Sequence, residues 1–161
     1  MSINHRTSRT VLRSIAAAGL LAAASGVAFA GECPADKIAE GATKPGASEP
    51  KDVKDTVLAA IDLGHEIDGL QGRQLRTRML EIQPGGIVPW HSHADRPALI
   101  YVIEGTVTEH ASNCAVPIVH KAGEISVETK EVSHWWQNTG GTVAKLLSSD
   151  VFRDQKTAST Q

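Results

Sequence analysis

The chain has 161 residues, 41% hydrophobic, 4% aromatic and 21% charged, with 16 Lys and Arg against 18 Asp and Glu. These proportions exclude a collagen-like, a disulfide-dense and a wholly disordered chain, and the length suits one domain better than two. A net charge of -2 without a Lys or Arg run lacks the basic footprint of a nucleic-acid binder, so no nucleic-acid partner is expected.

In chain order, the first segment reads as an address. Residues 1–14 carry Arg6, Arg9 and Arg13 and no acid, and an uncharged run rich in Ala and Leu follows from Ile15 to Ala30. It ends in Ala28-Phe29-Ala30, the small-x-small pattern of a signal-peptidase site, so residues 1–30 are expected to be a bacterial signal peptide cut before Gly31. The run falls short of the roughly 20 apolar residues that span a bilayer, so no membrane association is expected after cleavage. No Arg-Arg pair suggests the twin-arginine route. The product, with 13 basic against 18 acidic residues, is expected in the periplasm or outside the cell. There Cys33 and Cys114 are the two thiols able to pair within the chain, and bridged and unpaired states both stay open.

Residues 31–54 are crowded with Gly, Pro, Ala and charge and read as an extended arm. Residues 55–153 then alternate short apolar runs with turn residues. Strands are expected at 56–63, 74–82, 87–92, 98–103, 106–110, 116–120, 124–128, 133–138 and 142–152. That density of short strands points to an all-β domain, one small closed barrel. Residues 154–161 form a polar tail.

His91 and His93 stand two apart in a strand, so both imidazoles face one way, and His134 opens a later strand in which Trp136 and Asn138 share its face. Three neutral imidazoles can hold one divalent transition ion, Fe, Zn, Mn, Ni or Cu, and leave coordination positions open.

The residues around these histidines resemble the cupin superfamily. Pro84 to His93 followed by Tyr101 to Gly105 is similar to its first motif, with Gly85, His91, His93 and Gly105 in place. Gly123 to Asn138 is similar to the second, with Gly123, His134 and Asn138 in place, although Thr129-Lys130-Glu131 replaces the central Pro-x-Gly. The resemblance implies a small jelly-roll-like barrel, a metal held by His91, His93 and His134, and a homodimer. The family's glutamate ligand falls on Ala98, which cannot coordinate, so the site is expected to be a three-histidine variant unless Asp95 is displaced inward as a fourth ligand.

Trp136, Asn138, Ala98 and Arg96 are expected around the pocket, with Arg96 a candidate anion contact. Arg76 and Arg78 share one face, read as an outer one in preference to an inward clamp for a carboxylate. Trp90 and Trp135 face away from the histidines, and His65, His110 and His120 read as ordinary surface or loop residues. Two functions follow. One is an oxygenase acting on a small enol, catechol or carboxylate, with no obvious general base. The other is a periplasmic module that binds a metal ion or small metabolite without turnover.

Overall fold

A computed structural model describes residues 31–153, and the expected signal peptide and polar tail lie outside the described residues. Its regular structure is nearly all strand: β1 (Lys51–Asp62), a one-turn helix α1 (Leu63–Glu66), β2 (Arg73–Ser92), β3 (Ala98–Glu104), β4 (Thr106–Ala111), β5 (Ile118–Lys121), β6 (Ile125–Glu128), β7 (Ser133–Gln137) and β8 (Ala144–Arg153). They hydrogen-bond in the order β5-β4-β7-β2-β8-β3-β6, with β1 paired to β2. Backbone bonds from Val102 to Glu124 and from Gly123 to Val102 extend the β3–β6 pairing, and a tight turn in which Glu124 donates to the Lys121 carbonyl joins β5 to β6, the two ends of this path. The all-β barrel expected from the sequence is the fold found.

Alternation with period two builds the wall. In β8, Ala144, Leu146, Ser148 and Asp150 are buried while the residues between them are not, and β3 and β7 alternate in the same way. Leu80, Ile82, Ile100, Val102, Val107, Trp136, Ala144 and Leu146 form one core cluster, and Ala111, Cys114, Ile118 and Val132 form a second.

β2 is a single strand where the sequence reads as two. Its first half pairs with β8 from Arg73 to Ile82, and its second half pairs with β7 from Ile87 to Ser92. The change of partner falls at Pro84-Gly85-Gly86, where Gly85 takes a φ of 76° and donates to the Asn138 carbonyl, while the Asn138 amide donates to the Gly86 carbonyl. Proline and glycine here mark a barrel corner and not a strand end. That corner carries β2 from its pairing with β8 to its pairing with β7 and delivers His91 and His93 to the inner wall.

The arm runs over the outside of the wall where β2 and β7 pair. Ile38 pairs with Cys114, and Cys33 is bridged to Cys114 with Cα atoms 5.7 Å apart. Further along, Ala47 accepts a backbone bond from Trp90, and Gly46 lies so close to Trp135 that a Cβ there would fall 2.5 Å from the indole nitrogen. The outward tryptophans are thus covered by the chain's own arm. The barrel edge also begins earlier than residue 55, because β1 already pairs with β2 from Lys51.

Candidate metal centre

β2 and β7 set His91 opposite His134 in register, and His93 follows two residues on, where its amide donates to the Val132 carbonyl. The three Nε2 atoms converge: His93 to His91 is 3.1 Å, His93 to His134 is 3.0 Å and His134 to His91 is 3.1 Å. His93 and His134 are buried, and His91 is partly so.

The other ring nitrogen of each histidine has an acceptor of its own. His91 Nδ1 donates to the Pro89 carbonyl at 2.8 Å, His93 Nδ1 to the Arg96 carbonyl at 2.7 Å, and His134 Nδ1 to Glu109 Oε1 at 2.6 Å. With the protons on Nδ1, three Nε2 lone pairs point at one another in a dry site. Such an arrangement is repulsive by itself and relieved by a cation at their centre. Separations near 3 Å match neighbouring nitrogens around an ion bonded at about 2.0–2.1 Å. The donor set therefore fits a divalent transition metal. Burial and the neighbouring His134 push His91 down to about 3 and His93 to about 4, which keeps both neutral and available as ligands at neutral pH.

Behind His134 lies an acidic layer that the sequence reading did not foresee. Glu109, on β4, accepts from His134 with one oxygen and from His120 Nε2 with the other, at 2.8 Å. Glu128, on β6, stands 3.3 Å from His134 Nδ1 and accepts from Ser126 Oγ. Burial pulls Glu109 upward, but the hydrogen bonds from His120 and His134 outweigh it and hold the carboxyl at about 2. Burial pushes Glu128 up. Glu109, Glu128 and His134 form a second group of metal-capable atoms sharing His134 with the first.

His120 is thus not an ordinary surface residue. It is fully buried and stacked on Trp136 with ring centroids 4.6 Å apart. The alternation of Ile118 and His120 on β5 carried this signal, since both fall on the inner parity. His110 packs flat against Trp135 at 4.0 Å on the outer side.

In front of the nitrogens opens a cavity of about 380 Å³, lined by His91, His93, Arg78, Arg96, Trp136 and the apolar side chains of Leu80, Val88, Ile100 and Leu146, with Pro50, Val53 and Asp55 from the arm and β1 at its rim. Arg76 and Arg78 point inward and not to an outer face. Arg76 grips the buried Asp150 with two hydrogen bonds of 3.0 and 2.8 Å. Arg78 binds Asp55 and lies 3.5 Å from Asp150. The inversion has a simple cause: Asp150 and Ser148 occupy inward positions of β8 opposite Arg76 and Arg78, so the arginines find counter-charge inside the barrel.

Among the other residues singled out in the sequence, Trp136 and Arg96 line the cavity, whereas Ala98 and Asn138 are buried outside it. Asn138 ties the corner of the barrel by donating to the Ile82 and Thr142 carbonyls. Asp95 is exposed and bound to Arg73 and Arg153, and the structure does not bring it to the histidines. The bend that would turn it inward is absent because Arg73 holds both its side chain and its carbonyl.

Comparison with known proteins agrees with this architecture. The Cupin domain family model matches residues 78–150. Germin-like protein 1 of Brassica napus is 25% identical over 103 residues, covering 61% of this chain and 50% of that protein. Germin-like protein 8-14 of Oryza sativa subsp. japonica is 30% identical over 86 residues, covering 51% and 40%. The chain spans about half the length of these curated relatives. Among solved structures, a predicted oxalate decarboxylase from Thermotoga maritima superposes with a TM-score of 0.52 at 19% identity, over 71% of this chain and 97% of that one, which speaks to the fold alone. With the barrel, both histidine motifs and the family match in agreement, the chain belongs to the cupin superfamily as a small member whose first motif lacks the glutamate ligand.

Proposed function

We propose that the chain is an exported metallo-cupin that holds one divalent transition ion on His91, His93 and His134 and binds a small carboxylate- or enolate-bearing molecule beside it, as an oxygenase using dioxygen. The observation that carries this reading is the convergence of three Nε2 lone pairs whose Nδ1 protons are already committed elsewhere. An ion held there supplies Lewis acidity and, when redox-active, a path for electrons to dioxygen.

The chain's own residues supply the rest. Arg96 offers guanidinium donors at the cavity wall, since its carboxylate partner among the described residues, Asp150, is 3.7 Å away and is shared with Arg76 and Arg78. Arg78 stands on the same wall, its Nε buried without a hydrogen-bond partner among the described residues. Three guanidiniums against Asp150 and Asp55 leave an excess positive charge, which suits an anionic ligand. Leu80, Val88, Ile100, Leu146 and Trp136 provide an apolar lining that excludes water from the ligand body.

A specific observation favours the non-enzymatic alternative: among the described residues the one carboxylate on the cavity wall, Asp55, is paired with Arg78, and none of them offers a free carboxylate base to the ligand. Metal analysis followed by anaerobic Fe(II) loading separates the readings. The expected results are one ion per chain, loss of that ion in His91→Ala, binding of small carboxylates that weakens in Arg96→Met, and oxygen uptake with a small enol, diphenol or carboxylate. Full metal retention by His91→Ala overturns the site. A stoichiometric ion with ligand binding but no uptake assigns the binding role.

A further inference from the structure

The side of His134 that faces away from the Nε2 cluster adjoins a second cavity of about 170 Å³, lined by Glu109, Ser126 and Glu128 and, from the arm, by Gly31, Glu32 and Cys33. The polar groups lining it and the His120 ring beside Glu109 and Gly31 are unequally satisfied. Glu109 has both oxygens engaged, and Glu128 accepts from Ser126. His120, with no exposed surface, donates from Nε2 to Glu109, which leaves Nδ1 as an acceptor, and that nitrogen is buried with no hydrogen-bond partner among the described residues.

What stands in front of the orphan nitrogen is Gly31. A Cβ on Gly31 would fall 2.7 Å from His120 Nδ1 and 3.4 Å from Glu124 Oε2, so this backbone sits within reach of both. Its position is fixed from two directions: Cys33 is bridged to Cys114, and Ile38 pairs with the same residue. The close approach also excludes any side chain at position 31.

We propose that this cavity is the seat of the chain's own α-ammonium group, with the amino group of Gly31 donating to His120 Nδ1 and lying among the carboxylates of Glu109, Glu124 and Glu128. The inference rests on the export reading, in which the leader is cut after Ala30. An amide at Gly31 has one proton to offer, whereas an α-ammonium has three and a positive charge, which suits a pocket holding one free lone pair and several carboxylates. The ligand is tethered beside its site, so ordering it costs far less than capturing a free cation. Processing would then complete the line from Gly31 through His120 and Glu109 to the metal ligand His134, and the mature chain would differ from its precursor at the metal centre.

The test uses the exported protein with its disulfide intact. Intact-mass analysis is expected to place the N-terminus at Gly31. At neutral pH an amine-reactive acylating reagent is then expected to label the Gly31 amine at least about tenfold more slowly in the folded protein than after unfolding, as for a group protected by structure. In His120→Phe the protection is expected to be lost while the circular dichroism of the barrel is kept. Because that variant also alters packing, ¹⁵N NMR of the wild type gives a second reading: the His120 Nδ1 resonance is expected to move when Gly31 is Nα-acetylated. An N-terminus elsewhere overturns both the export cut and the seat. A Gly31 terminus that labels as fast as the unfolded chain, or a His120 resonance indifferent to acetylation, overturns the seat alone.

Discussion

Glu109 holds His134 by a 2.6 Å hydrogen bond from the ring Nδ1 to one carboxylate oxygen, and its second oxygen is occupied by His120. The pairing fixes the tautomer of His134 and presents its Nε2 lone pair to the other two histidines. Glu109→Gln keeps the shape but replaces an acceptor of two protons with a group that can accept at only one end. Divalent metal affinity is expected to fall about 10- to 100-fold, the usual effect of removing a partner behind a ligand. Competition against a chromophoric chelator reads this directly, and an unchanged affinity would show that His134 needs no such support.

His120→Ala removes a buried ring stacked on Trp136 and leaves one Glu109 oxygen without its donor. A loss of stability of about 2–4 kcal/mol is expected from the lost packing and the unsatisfied carboxylate together. Urea unfolding followed by tryptophan fluorescence measures it. Metal stoichiometry is expected to stay at the wild-type value, since His91, His93 and His134 remain.

The stability of the metal-free protein is expected to depend on pH through the site. Folding lowers His91 to about 3 and His93 to about 4 from an ordinary value of 6.5. As pH falls below about 6.5, the unfolded chain takes up protons that the folded chain refuses, so stability drops, and this contribution levels off only below the folded values. Chelator-treated protein should therefore unfold at less urea at pH 5 than at pH 7.5, and His91→Asn with His93→Asn should flatten the difference. An equal midpoint at the two pH values in the unsubstituted chain would contradict the burial of these rings.

Asp150 is fully buried and answers Arg76, with Arg78 and Arg96 within 4 Å of the same oxygen. Asp150→Asn leaves three guanidiniums crowded on one wall without their common counter-charge. A destabilisation of about 3–5 kcal/mol is expected, as for breaking one side of a buried ion pair. Thermal unfolding gives the readout, and added small carboxylates are expected to recover part of the loss by supplying counter-charge to Arg78 and Arg96 from the cavity.

Much of this molecule was legible along the chain. Period-two alternation in 98–104, 133–137 and 144–153 declared the strands, because a barrel wall buries every second side chain and nothing else imposes that period. The same parity put His91 and His93 on one face, and the spacing of the two histidine motifs tied them to His134. The absent glutamate ligand was equally plain, since Ala98 has no atom to coordinate with.

Tertiary structure decided what lies across the barrel from each residue. Whether Arg76 and Arg78 faced inward depended on Asp150, which follows them by more than 70 positions and meets them only through the β2–β8 register. Glu109, His120 and Glu128 each read as one more polar residue on a short strand until β4, β5 and β6 closed behind His134. Local sequence carries the period of a strand, which is a property of the backbone. The partner of a buried charge is set by sheet order and register, and those arise only when distant segments bury a common core.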